Sequence, residues 1–109
     1  MRIRSARADD FEICLNLDAS YDTESAWQME EQYCDGEWRI TFREVSLPRT
    51  QHVAPLRRAA EQLEVWEQCD GFWVAVERRK VRGYVALSLE PVHRQARITD
   101  LVVAPTHRR

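Results

Sequence analysis

The amino-acid sequence predicts an α/β or α+β fold with the element order β-α-β-α-β-β-β, in which helices pack on a mainly antiparallel sheet. Two stretches carry apolar residues at helical spacing, one stretch alternates apolar with polar residues, and three strand candidates follow one another near the C-terminus. The loops between those three candidates are short, so the strands should pair antiparallel. A chain of 109 residues is long enough for one domain, residues 1–109, and too short for two.

The first four elements are predicted to be a strand, a helix, a second strand and a second helix. The first strand covers Arg2 to Ser5, and the first helix runs from Ala8 to about Asp18. Its apolar face consists of Phe11, Cys14, Leu15 and Leu17. The second helix is expected to carry Pro55 in its first turn. Its buried stripe consists of Leu56, Ala59, Leu63 and Trp66.

Alternation predicts a half-buried strand after Gly36. Its apolar positions are Trp38, Ile40 and Phe42, followed with the opposite parity by Val45 and Leu47. The change of parity predicts a bulge near Arg43-Glu44, and Pro48 is expected to end the strand.

The polar, acidic segment from Tyr21 to Asp35 has no clean period, so no element is assigned to it. Three strands are predicted beyond the second helix. They cover Phe72 to Glu77, Val81 to Glu90, and Ala96 to Val103.

The composition predicts a cytoplasmic globular protein that neither spans a membrane nor carries a signal peptide. Hydrophobic residues make up 44% of the chain and charged residues 31%, and no apolar run is long enough for a membrane span. The net charge of −2 hides an asymmetry. Residues 1–70 carry eight basic and fifteen acidic side chains, whereas residues 71–109 carry eight and three. A basic half suits a polyanionic ligand and an acidic half suits a cationic one, although solvated surfaces can differ in charge without any function.

No metal site is expected from the cysteines and histidines. The chain has three of each and no CxxC pair, and the histidines are not at ligand spacing. These residues are Cys14, Cys34, Cys69, His52, His93 and His107. Free thiols in a reducing compartment are therefore expected.

The C-terminal segment, Thr99 to Arg109, resembles the start of the signature segment of the GNAT acetyltransferase superfamily. In that family a strand ending in L-x-V-x-P precedes R/Q-x-x-G-x-G/A, and Leu101, Val103, Pro105 and Arg108 match in register. The predicted hairpin is similar to one in the family; its strands are Phe72 to Val76 and Val81 to Ala86, with Gly83 in the second. The segment from Arg4 to Asp10 is similar to the family's first strand and the start of its first helix. Tyr21 to Val53 is the least typical part. Trp27 to Met29 and Phe42 to Arg49 resemble the streptothricin-acetyltransferase-like branch.

The resemblance implies an N-acetyltransferase that moves the acetyl group of acetyl-CoA to a primary amine of a small molecule or protein. The chain would represent the N-terminal part, because the glycines expected after Arg108 do not occur before its end. Those glycines let backbone N–H groups approach a pyrophosphate, so little or no activity is expected of the 109 residues alone. Arg108 and Arg109 would be the retained part of the phosphate site, or else two solvated arginines.

The resemblance also assigns roles near the end of the last strand. Main-chain groups of Leu101, Val102 and Val103 would bind the pantetheine arm and polarise the acetyl carbonyl, while the side chains of Leu101 and Val103 could belong to the core. Asp100 is the first candidate for the general base, although an aspartate at a strand end is often structural. Tyr84 and Glu90 are weaker candidates.

Acceptor contacts are expected in the acidic segment, which is where the family gathers them. Carboxylates beside aromatic rings suit an ammonium-bearing acceptor, and an exposed acidic surface explains the same pattern. The candidates are Tyr21, Asp22, Glu24, Trp27 and Glu30.

Two other functions are compatible with the pattern. A non-catalytic half-GNAT module would pair with another chain or with a second copy, because the last strand would leave an uncovered edge. A nucleic-acid-binding sheet would use basic residues beside aromatic rings, but the net charge is negative and no RNA-binding motif occurs. Its side chains would be Arg78, Arg79, Lys80, Arg82, Arg94 and Arg97 with Trp73 and Tyr84. The sequence therefore predicts neither a nucleic-acid nor a membrane partner.

Overall fold

A computed structural model describes residues 1–55 and 57–109, so Leu56 of the predicted helical stripe lies outside the described residues. Six strands, two α-helices and a short 3-10 turn follow one another along these residues. They are β1 (Arg2–Ser5), α1 (Ala8–Asn16), β2 (Tyr21–Cys34), β3 (Glu37–Val53), α2 (Ala59–Gln68), β4 (Gly71–Glu77), β5 (Lys80–Glu90), β6 (Gln95–Val103) and the turn Pro105–His107. The chain divides into two compact units, one of Met1–Ala19 with Pro55–Arg109 and one of Ser20–Ala54.

The first unit contains a four-stranded antiparallel sheet in the order β1-β4-β5-β6. The predicted antiparallel meander of the last three strands is confirmed, with each strand beginning one residue earlier than the alternation indicated. Helix α1 ends at Asn16, two residues before the predicted end, and α2 begins at Ala59, after the predicted start near Pro55. Neither described helix is long and apolar enough to cross a lipid bilayer.

The second unit is a two-stranded antiparallel ribbon made of β2 and β3. The sequence assigned no element to the β2 segment, so the observed order is β-α-β-β-α-β-β-β. Glu31 interrupts the alternation of Trp27, Met29 and Tyr33, which hides the strand period in β2. Pairing with β3 supplies the hydrogen bonds that local propensity does not predict.

Strand β3 continues through Pro48, so the prediction that Pro48 ends the strand is wrong. The ladder is interrupted where Thr23 pairs with Gln51 and Ser25 pairs with Ser46, which leaves residues 47–50 of β3 opposite a single residue of β2. Pro48 lies in this irregular stretch, where its missing N–H removes no regular ladder bond. The bulge predicted near Arg43-Glu44 is absent, because those residues pair in unbroken register with Gln28 and Trp27.

The core of the first unit lies between the two helices and one face of the sheet. Trp66 of α2 is 2% exposed, and its indole meets the rings of Phe72 and Tyr84 at centroid distances of 5.1 and 5.0 Å. The buried residues that form this cluster are Cys14, Trp66, Phe72, Val74, Tyr84 and Ala86. Burial raises the pKa of the Cys14 thiol to about 12, so this cysteine stays protonated and behaves as an apolar core residue.

A buried ion pair joins β1 to the start of α1. The carboxylate of Asp10, a residue only 4% exposed, accepts hydrogen bonds from both terminal nitrogens of Arg4 at 2.6 and 3.1 Å. It also accepts one from the backbone N–H of Arg7 at 2.7 Å, which satisfies a donor at the helix N-terminus. The Arg4 hydrogen bonds lower the pKa of the Asp10 carboxyl, with the Arg7 N–H acting in the same direction against the opposing effect of burial.

Replacing Asp10 with Asn is expected to lower the free energy of unfolding at pH 7 by about 2–3 kcal/mol, because charge-assisted hydrogen bonds are lost. The pKa of the Asp10 carboxyl is lowered in the folded state. Its contribution to the free energy of unfolding is therefore present above the unfolded-state pKa of about 3.9 and is lost as the pH falls through the lower pKa of the folded state. Urea unfolding of both proteins between pH 7 and pH 3 checks this, and the difference should shrink in acid.

The exposed neighbour Asp9 provides the matched control, since it lies in the same first turn of α1. Asp9→Asn should cost less than about 1 kcal/mol, the range of an exposed charge at a helix N-terminus. Equal losses from the two substitutions would contradict the role given to the buried pair.

Candidate active site

Strand β6 forms an edge of the four-stranded sheet and is hydrogen-bonded to β5 on one side. Among the described residues, no strand pairs with its other side. The register with β5 shifts at Thr99, because Asp100 pairs with Ala86 whereas Ile98 pairs with Leu87. This bulge places the last four residues of β6 in a new register, which determines where their side chains and main-chain groups point.

The main-chain groups of Leu101 and Val103 point away from β5. The N–H of Ala104 donates to the carbonyl oxygen of Arg82 at 2.7 Å, so position 104 faces β5. Hydrogen-bonded and non-hydrogen-bonded residue pairs alternate along an antiparallel ladder. Val102 and Tyr84 therefore form a hydrogen-bonded pair, and the main-chain groups of positions 101 and 103 point away from β5. The predicted cofactor-binding run therefore divides into two positions whose N–H groups are open, 101 and 103, and one, Val102, whose main chain is used within the sheet; the carbonyl oxygen of Val103 accepts from Arg108.

The side chains of the same run divide between the two faces of the sheet. Val102 packs against the core cluster, and Asp100 points toward α2. Leu101 is 69% exposed and Val103 is 39% exposed, so the alternative that both are core side chains is wrong for the described structure. Gly83 allows β5 to approach β6 closely, since a Cβ atom there would lie 2.8 Å from the carbonyl oxygen of Val102.

The carboxylate of Asp100 is held by donors from α2 and the residues preceding it. Its Oδ1 atom accepts from Gln62 Nε2 at 2.7 Å and from Arg57 Nη2 at 3.4 Å, and its Oδ2 atom lies 3.4 Å from Trp66 Nε1. The side chain is 12% exposed. These contacts fix Asp100 in position on the core side of β6 and leave Oδ2 with acceptor capacity for one more proton donor.

Tyr84 is buried in the core beside this carboxylate. It is 6% exposed, and its ring stacks on that of Phe72 with a centroid distance of 5.5 Å. Burial raises the pKa of the Tyr84 phenol to about 12, and the negative charge of Asp100 acts in the same direction. The phenol is therefore protonated at neutral pH, which suits a hydrogen-bond donor and disfavours the role of general base.

Two contacts anchor the turn that follows β6. His107 Nε2 lies 2.7 Å from the carboxylate of Glu77 at the end of β4, and this contact lowers the pKa of the Glu77 carboxyl. Arg108 donates from Nε to the carbonyl oxygen of Val103 at 2.7 Å and from Nη2 to that of Asp18 at 2.5 Å. Arg108 is therefore exposed to solvent and at the same time held in position by main-chain carbonyls.

The candidate acceptor residues are distributed over both faces of the ribbon. Residues three apart on a strand point to opposite faces, so Trp27 and Glu30 do not share a surface. Glu30 forms an ion pair with Arg43 on the polar face. Nearer the base, the exposed Asp22 lies 2.8 Å from His52 Nδ1, next to the half-exposed Tyr21. Adjacent residues of a strand also point to opposite faces, so the structure separates the side chain of Tyr21 from that of Asp22, as it separates Trp27 from Glu30.

The donors to Asp100 were not predicted as site residues. Gln62 and Trp66 are four residues apart on α2 and therefore lie on one helix face. A polar donor one turn from a buried indole is a weak signal in the sequence. Gln62 and Asp100 are 38 residues apart in the sequence, so their hydrogen bond is recognised only in the folded structure, where β6 lies beside α2.

Comparison with known proteins places these features in a family. The model of the acetyltransferase (GNAT) family matches residues 11–109, so the chain belongs to the GNAT family. Nourseothricin acetyltransferase has a similar structure, with a TM-score of 0.73 and 23% sequence identity over 98% of this chain. A candidate streptothricin acetyltransferase from Bacillus anthracis str. Ames, solved in complex with acetyl coenzyme A, gives a TM-score of 0.67 and 15% identity over 98%.

The two similar structures are longer than this chain, which covers 56% of the first and 58% of the second. At these identities the likeness establishes the fold. No curated protein matches the sequence. The predicted family and fold class are thus confirmed, as is the assignment to an acyltransferase family.

Proposed function

We propose that this protein takes part in transferring the acetyl group of acetyl-CoA to a primary amine. The observation that carries the proposal is the open edge of β6, where the outward main-chain groups of Leu101 and Val103 follow the bulge at Thr99. Backbone N–H groups on a fixed strand are suitable donors for a thioester carbonyl that gains negative charge during acyl transfer. The site lies within the GNAT family match.

The outward N–H groups at 101 and 103 would bind the pantetheine arm and the acetyl oxygen of the substrate. Arg108 holds the carbonyl oxygen of Val103, which orients that residue at the end of the strand. Arg109 follows, and together with Arg108 it is proposed to supply positive charge toward the phosphates of the same molecule. Each contact acts before any bond changes, so these residues orient the thioester for attack.

Asp100 is proposed as the base that accepts the proton of the attacking amine. Gln62, Arg57 and Trp66 hold its carboxylate, and Oδ2 retains room for a proton delivered directly or through water. Tyr84 is proposed as a neutral hydrogen-bond donor, since the raised pKa of its phenol excludes a phenolate near pH 7. This differs from the expectation of Tyr84 as a weaker candidate for the general base.

The acceptor is proposed to be an amine like nourseothricin or streptothricin, because the two similar structures are named for acetyltransferases of these compounds. The Asp22 carboxylate is proposed to contact its ammonium group, whereas Tyr21 points to the opposite face of β2 and does not join this contact. Glu30 lies on the polar face, and Trp27 lies on the other, so a single small acceptor would contact at most one of the two.

An assay of CoA thiol release tests the proposal. The chain is incubated, alone and extended past Arg109 by a Gly-x-Gly loop with the helix that it opens, with acetyl-CoA and either nourseothricin or a panel of simple primary amines, and the acetylated product is identified by mass spectrometry. Acetylation that depends on both substrates is expected of the extended chain, with nourseothricin preferred over the simple amines, whereas the 109 residues alone should show little or no transfer. Absence of transfer by the extended chain to every amine would favour the non-catalytic interaction module instead.

A further inference from the structure

The ribbon formed by β2 and β3 has one apolar face and one polar face. Directly opposed residues of an antiparallel pair share a face, and the pairs from Trp27–Glu44 to Tyr33–Trp38 alternate with polar pairs. We call one side the apolar face; its exposed apolar residues are Trp27, Met29, Tyr33, Trp38, Ile40 and Phe42, and Glu31 and Glu44 lie on the same side. The opposite side carries mainly amide, hydroxyl and charged groups, including the Glu30–Arg43 ion pair.

All six apolar residues of this face are exposed, with between 52% and 69% of each residue's surface accessible. A buried aromatic residue covers about 150–250 Å², so the four aromatic residues at 62–69% exposure present roughly 400–650 Å². Met29 and Ile40 extend the area. The largest apolar patch on a typical monomer is about 300–600 Å², and a standard protein interface buries about 800 Å² on each partner. The apolar face thus comes close to the area that a standard interface buries on each partner.

We propose that the apolar face is a self-association surface on which the ribbon of a second copy stacks about a two-fold axis. In an isologous dimer the same surface patch of both copies forms the interface, so stacking two apolar faces buries the area of one face on each copy. Tyr33 and Trp38 already contact each other at a centroid distance of 5.0 Å and present a continuous aromatic surface at the ribbon tip. Rigid aromatic groups of this kind are enriched at the centres of protein interfaces.

The two carboxylates on the apolar face are compatible with this arrangement. Glu31 lies opposite Ile40 and Glu44 lies opposite Trp27, so the two acids are on different strands and two rows apart. If the two-fold axis runs along the ribbon, Glu31 of one copy lies over Ile40 of the other, and Glu44 lies over Trp27. If the axis runs across the ribbon, Glu31 of one copy lies over Met29 of the other, and Glu44 lies over Trp38. Neither arrangement opposes like charges, and each acid can reach solvent at the side of a two-stranded ribbon.

Sedimentation equilibrium of the protein and two matched variants tests the proposal. Phe42→Lys places an ammonium group on the apolar face, whereas Thr41→Lys places the same group on the polar face of the same strand, directly opposite Glu30. The unmodified protein and Thr41→Lys should dimerise with similar dissociation constants. Phe42→Lys should weaken the dimer by roughly 100-fold or more, because each dimer contains the substitution twice at the centre of the interface. Circular dichroism verifies that each variant is folded.

A second substitution keeps the test decisive if Phe42→Lys does not fold. Trp27→Lys lies on the apolar face directly opposite Glu44, where the new charge favours cross-strand pairing, and it should also give a monomer. A monomeric unmodified protein at all concentrations would overturn the proposal, as would a dimer that apolar-face and polar-face substitutions weaken equally. The assay of acetyl transfer is independent of these results, so failure of one proposal is distinguishable from failure of the other.

Discussion

Asp100→Asn is expected to lower kcat for acetyl transfer by about 100- to 10,000-fold, the range that a positioned general base contributes. The affinity for acetyl-CoA, measured by calorimetry, should change by less than about threefold, because the amide keeps the size of the side chain and the main chain of β6 is unaltered. The free energy of unfolding should fall by about 1.5–3 kcal/mol, since the amide oxygen that accepts from Gln62 and Arg57 carries no charge and the amide nitrogen cannot accept from Trp66.

Asp70→Asn provides the matched control for this experiment. The Asp70 carboxylate also accepts a hydrogen bond on the sheet, from the backbone N–H of Leu89 at 2.5 Å, but it lies away from the open edge of β6. This variant should lose stability and keep its kcat. If Asp100→Asn weakens acetyl-CoA binding as much as it lowers kcat, Asp100 positions β6 and is not the base.

Proline substitutions at neighbouring positions of β6 are expected to have opposite effects. Leu101→Pro removes an outward N–H and should leave stability within about 1 kcal/mol, because proline is tolerated where a strand's N–H faces away from its partner. It should weaken acetyl-CoA binding by about tenfold through loss of one hydrogen bond. Val102→Pro removes the N–H that pairs with Tyr84 and should cost about 1–3 kcal/mol of stability.

Urea unfolding and calorimetry with acetyl-CoA measure both effects on the same samples. Leu101→Pro should weaken acetyl-CoA binding more than Val102→Pro does, and Val102→Pro should lower the free energy of unfolding more than Leu101→Pro does. A Leu101→Pro protein that binds acetyl-CoA as well as the unmodified protein would show that the outward N–H is not used.

The sequence predicts the C-terminal sheet well, because alternation and short loops leave few ways to pair the strands. It fails for β2, where Glu31 breaks the alternation and the pairing comes from β3. The L-x-V-x-P pattern predicts strand β6 but does not indicate which of its main-chain groups are open. That property depends on the bulge at Thr99, which only the register with β5 defines. The donors to Asp100 are equally hidden, since they come from a helix distant in the sequence.

Backbone amide NMR during titration with acetyl-CoA tests the open edge of β6 most directly, and it detects weak binding as well as strong. The amides of Leu101 and Val103 should exchange rapidly with solvent in the free protein and shift on addition of acetyl-CoA, whereas the Val102 amide should be protected and shift less. Binding that shifts other amides and leaves positions 101 and 103 unchanged would contradict the account.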